Sequence, residues 1–235
     1  LPAEVIANFL NRGIILLGPD DPELGLRQYR FSHEIIREVL YSRLTRRQKH
    51  NNHLVMAEWF RSLELGEKVV LRYLCFHYEC AEHFQEAVKC ALRGASLALQ
   101  RYEILEAFRF FEQVERLLRK GSAQIDQASL SEFLEQYSET LLLDGKPRAV
   151  VELLDSDWAR IDERSPNALR IKLKKLEALE KLAEDAPWQA LLEEAATLLR
   201  KLPTKNRKDW KRIQAGFFVR QGEFFRLHGQ FPEAK

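Results

Sequence analysis

The chain has 235 residues, of which 46% are hydrophobic, enough to bury a large core as one extended domain or two small ones. Its 37 Lys and Arg nearly balance 35 Asp and Glu, which excludes the strong basic excess of a nucleic-acid coat protein. Three cysteines, Cys75, Cys80 and Cys90, are too few and too closely grouped for a disulfide framework, and no apolar run approaches the roughly 20 residues that cross a bilayer. Those features point to the cytoplasm, with no membrane partner.

Ten glycines and eight prolines among abundant Leu, Ala, Glu, Lys and Arg predict a mainly α chain of long helices and short turns. Residues 3–12 read as a short amphipathic helix. Gly13-Ile14-Ile15-Leu16-Leu17 is a β-rich run ended by Gly18-Pro19-Asp20-Asp21, and Gln28-Tyr29-Arg30-Phe31 is a second one. Helix, strand, loose hairpin and strand are the closing half of a winged-helix module. The next helix is expected to begin after Ser32, whose hydroxyl would cap it, while Glu34 complements the helix dipole. Ile35, Ile36, Val39, Leu40 and Leu44 form its apolar face. A further helix from Arg46 to Leu63 buries Leu54, Ala57 and Phe60.

The module occupies residues 1–63, and residues 64–235 read as helical repeats. Ala107, Ala149, Ala190 and Ala234 each follow a turn signal just inside a new helix and recur at a spacing of about 42 residues, which fits stacked helical hairpins. A weaker copy places Ala87 one helix earlier. An alanine at a close helix crossing leaves room for a methyl group and nothing larger, so these side chains are expected to be buried. The predicted architecture is a tetratricopeptide-like solenoid of helical hairpins, longer in period than the roughly 34 residues of the standard repeat. Because the chain starts without Met and stops at FPEAK after a turn signal, it is expected to be a piece of a longer protein.

The segments LNRGIILL, YRFSHEIIREVLYSRLTRRQKHNNHLVMAEWF and HYECAEHFQEAVKCALRGASLALQRYEILEAFRFFEQVERLL together resemble the region downstream of the nucleotide-binding core in STAND-class signal-transduction ATPases. Such regions occur in maltose-regulator and LuxR-type activators, multidomain nucleotide cyclases and ATPase-fused kinases. On that resemblance Phe31, His33, Arg37, Glu38, Tyr41, His53 and Ala57 fall on the recurring positions of the winged-helix end and its following helix. It implies a non-catalytic regulatory or sensor arm that needs no cofactor. The arm would bind a protein partner, the protein's own ATPase core or a small-molecule inducer.

Three local patterns imitate catalytic or metal sites. His33-Glu34 opens like a zinc-protease helix, but the second His is replaced by Arg37, a cation where the metal would sit. Cys75, His77, Cys80 and His83 spread too widely around one helix to converge on an ion. Gly13 and Gly18 have the spacing of a phosphate loop, but Pro19-Asp20 stands where Lys-Ser/Thr is required. No nucleophile, base and orienting group can be assembled from spacing, so the chain reads as neither enzyme nor metalloprotein.

The remaining charge feature is Arg200, Lys201, Lys205, Arg207, Lys208, Lys211 and Arg212 around Trp210. As an alternative function it suggests a helical scaffold holding a nucleic-acid backbone or an acidic partner. The plainer reading is a solvated turn between helices, with Trp210 packed inward.

Overall fold

Short turns cut this sequence into helices, and the computed structural model describes residues 3–20, 25–63, 66–162, 165–201 and 207–229. Eleven α-helices, one short 3-10 turn and one two-stranded antiparallel sheet account for the regular structure among them. None of these helices is long and apolar enough to cross a membrane. The chain divides into two compact units, residues 1–98 and 99–235.

In the first unit α1 (Ala3–Asn11) leads into β1 (Ile15–Leu17), which pairs with β2 (Tyr29–Phe31) in the register Ile15 with Phe31 and Leu17 with Tyr29. Ser32 does not cap the next helix. Its hydroxyl donates to the Ile14 carbonyl at 3.2 Å and closes the hairpin, and α2 (Glu34–Ser42) starts after His33 without a side-chain cap. α3 (Arg46–Ser62) starts on a reciprocal capping box, in which the Gln48 N–H donates to Thr45 Oγ1 and the Thr45 N–H donates to Gln48 Oε1. α3 packs on α4 (Glu67–Cys80) through Phe60, stacked on Tyr73 with ring centroids 4.2 Å apart. The expected junction at 63/64 therefore lies between two packed helices, and the compact unit continues through α5 (Phe84–Gln100) to Ala98. α5 buries a stripe of small residues, Ala87, Ala91, Ala95 and Ala98.

The second unit contains α6 (Ile104–Arg119), α7 (Gln127–Leu143), α8 (Pro147–Leu154), a 3-10 turn (Asp157–Ala159), α9 (Pro166–Leu182), α10 (Asp185–Lys201) and α11 (Arg207–Leu227). α9 is packed by α7, α8, α10 and α11. Its Leu169, Leu176 and Leu179 join Trp188, Leu192 and Ala195 of α10 and Trp210, Ile213, Phe217 and Phe224 of α11 in one core. The alternate helices α7, α9 and α11 lie side by side.

The helix joints share a backbone device. Glu82, Tyr102, Gly145 and Ala183 adopt left-handed φ values of 58°, 60°, 72° and 55°, and a new helix begins two residues after each. At Glu82, Gly145 and Ala183 the next N–H reaches back to the carbonyl five residues earlier (His83 to Tyr78, Lys146 to Leu141, Glu184 to Leu179), which satisfies the helix end. The fifth residue after each left-handed position is buried: Ala87, Ala107, Val150 and Trp188 are each at most 1% exposed. This corrects the alanine register. Ala107 is buried as expected, but Ala149 is half-buried and Ala190 is exposed, and Val150 and Trp188 take the buried positions instead. Ala234 lies outside the described residues.

Two stability tests follow from the corrected register. Trp188→Ala should cost about 3–5 kcal/mol in urea unfolding followed by circular dichroism, whereas Ala190→Leu should change it by less than about 0.5 kcal/mol. Ala183→Gly should stabilise the chain by about 1 kcal/mol, since glycine carries no penalty in the left-handed region.

Candidate ligand groove

α7 is apolar on nearly every side. Leu130, Phe133, Leu134, Tyr137 and Leu141 are buried, and Ser131 and Thr140 are buried too, their hydroxyls donating to the carbonyls of Gln127 and Gln136. What remains open is a strip bearing Glu132, Glu135, Gln136 and Glu139, one helical turn apart. α9 opposes it with Arg170, Lys174 and Glu177 at the same spacing, and α11 adds Arg212 and Arg220.

Between these rows runs a groove of about 710 Å³, bordering a smaller hollow of about 220 Å³. Glu135, Arg170, Lys174 and Arg212 line both. Beside the hollow a Cβ on Gly216 would stand 3.3 Å from Leu173 Cδ1, so the glycine lets α11 approach α9 closely. Cross-helix ion pairs join the walls: Arg170 with Glu135 at 3.6 Å, Lys174 with Glu139, and Arg220 with Glu177 at 3.0 Å and with Glu180 at 2.7 Å. Burial lowers the proton affinity of Lys174, Glu177 and Glu135 act against that, and the charges of Arg220 and Arg212 add to it. The arrangement can hold a ligand by charge.

The residues singled out from sequence are dispersed. Phe31 is half-buried in β2, and His33 precedes α2 as an exposed residue. Arg37 forms an ion pair with Glu34, so the Glu of the protease-like pair is occupied by the cation that replaces the second His. Tyr41 and His53 are brought together, Tyr41 Oη lying 2.9 Å from His53 Nε2, and Ala57 beside them in α3 is buried. No group of three His, Cys, Asp or Glu side chains among the described residues is placed to hold a metal. Of the basic patch, Arg200, Lys201, Lys211 and Arg212 are exposed. Trp210 is 7% exposed within the core and so is withheld from base stacking. Lys205 and the side chains of Arg207 and Lys208 lie outside the described residues. The groove residues Glu132, Glu135, Glu139, Arg170, Lys174 and Arg220 were not anticipated, although like charges at one-turn spacing on two helices carry that signal.

No protein-family model matches the chain, and no curated protein or solved structure does either.

A second polar cluster lies in the first unit. His53 Nδ1 stands 2.9 Å from His77 Nδ1, and His77 stacks on Phe60 with ring centroids 5.4 Å apart. A bond between two Nδ1 atoms requires one ring to donate and the other to accept, so the two imidazoles cannot both be protonated. Burial lowers the pKa of His53. It also lowers that of His77, to about 4, with the charge that His53 would carry adding to the effect. Because the unfolded ring titrates near 6.5, the unfolded chain binds more protons between these values. The contribution of His77 is thus complete above about pH 6.5 and is lost as pH falls through about 4, a change of about 1–3 kcal/mol. His77→Phe should flatten the pH dependence of the urea midpoint over that window, which unfolding curves at pH 7, 6, 5 and 4 would measure.

Proposed function

We propose that this chain is a non-catalytic regulatory arm of a larger signal-transduction ATPase. Its first unit docks on the ATPase core, and its second unit receives a partner or inducer in the groove beside α9. The observation that carries the reading is the state of the N-terminal elements. α1 and α2 bury no residue among those described, and Ile35, Val39 and Leu40 of α2 are 63%, 44% and 47% exposed, alongside Leu17 of β1 at 56%. An amphipathic helix gains its stability chiefly by covering such a face, and exposed apolar surface of this kind marks an interaction site. The resemblance of LNRGIILL and YRFSHEIIREVLYSRL to the segments that follow a nucleotide-binding core names the surface that would cover it. The arm acts if its ligand prefers one arrangement of arm and core over the other.

Hydrogen exchange tests this. In the complete protein residues 34–42 should exchange more slowly than in the 235-residue chain, and Val39→Glu should remove the difference while leaving the isolated chain within about 0.5 kcal/mol of its stability. Equal exchange in both forms, or a reading frame with no phosphate-binding loop, would refute the proposal.

A further inference from the structure

The groove beside α9 has walls of opposite sign. Glu132, Glu135 and Glu139 line it from α7, and Arg170 and Lys174 of α9 face them together with Arg212 of α11. Most of these charges cancel in place, Arg170 against Glu135 and Lys174 against Glu139. Two do not. Arg212 forms no ion pair or hydrogen bond among the described residues. Glu132 has no cation there and accepts only the uncharged amide of Gln136, at 2.9 Å. Both are exposed and both line the same cavity.

Among the described side chains, a carboxylate on one wall and a guanidinium on another are thus left without counter-ions, and such a pair selects by sign. A simple anion drawn to Arg212 leaves Glu132 without a partner, and a simple cation drawn to Glu132 leaves Arg212 without one. A molecule that carries both charges satisfies each wall without opposing the other. Its charges must also be apart, since Glu132 and Arg212 stand on α7 and α11, which each pack on α9, and even directly packed helices stand about 8–10 Å apart. A free amino acid is too short, whereas an extended tripeptide spans about 10 Å. A volume of about 710 Å³ lies within the range of about 300–1,000 Å³ usual for small-molecule sites.

We propose that this groove binds an elongated zwitterion of the size of a free tripeptide, its carboxylate against Arg212 and its ammonium group against Glu132. A carboxylate there would also relieve the mutual repulsion of Arg212 and Lys174. The inference rests on the reading of the second unit as a ligand-binding arm. It is independent of how α2 docks, because binding is measured on the 235-residue chain alone.

The experiment is isothermal titration with trialanine whose termini are free, with N-acetyl-trialanine, with trialanine amide and with free alanine. Trialanine should bind, each blocked form should bind about tenfold more weakly, and alanine should not bind detectably. Arg212→Gln should make the free and amidated peptides equivalent while keeping the preference over the acetylated one, and Glu132→Gln should do the reverse. Neither side chain belongs to the core, so both variants should melt with the parent chain. Failure of trialanine to bind, blocked peptides that bind as well as the free one, alanine that binds as tightly, or variants that keep both preferences would each overturn the proposal.

Discussion

The second unit is organised by a helix that is packed on most sides and yet carries charge on most sides. Among the described side chains of α9 only Lys181 is fully exposed. The others meet α7 through Arg170 and Lys174, the end of α8 through Lys175 and Asp155, α10 through Lys172 and Glu194 at 2.7 Å, and α11 through Glu177, Glu180 and Arg220. Half-burying so many ions is unfavourable unless each finds its counter-ion. Long lysine and arginine stems lie along apolar surface and deliver the charge to its edge, so the leucines beneath can still close a continuous core. The ion pairs thus act less as a source of stability than as a key, fixing which way each neighbouring helix is turned against α9.

That centrality explains what sequence could and could not disclose. Helix starts were written locally: Thr45-x-x-Gln48 is a capping box, Asp126 receives the N–H groups of Ala128 and Ser129, and Pro147 and Pro166 stand in the first turns of α8 and α9. The hairpin was legible from its β-rich runs. α9, reading PNALRIKLKKLEALEKL, looks like a solvated helix, and only its tertiary neighbours make it the centre. The repeat register was misplaced for a related reason. Glu82, Tyr102 and Ala183 take the left-handed conformation normally marked by glycine, so no residue type announced those joints, and the recurrent alanines were read in their place. The groove was hidden because its walls come from separate helices, and the charge rows acquire meaning only when α7, α9 and α11 are set side by side.

The two units treat amphipathicity differently. In the first, α2 half-buries Ile36 but leaves Ile35, Val39 and Leu40 exposed among the described residues. In the second, the apolar faces are mutually covered and what is left open is a charged strip.

The ion-pair pattern of α9 also bears on how such a chain can change over evolutionary time. An isolated surface lysine can drift to glutamine or serine with little effect. Lys174 and Lys175 are less free, because their stems pack against the unit while their ammonium groups reach Glu139 and Asp155 at its edge. Arg212 and Glu132, without counter-ions among the described residues, are held by no such packing, so the lip of the groove can change its charge while the scaffold beneath it stays still.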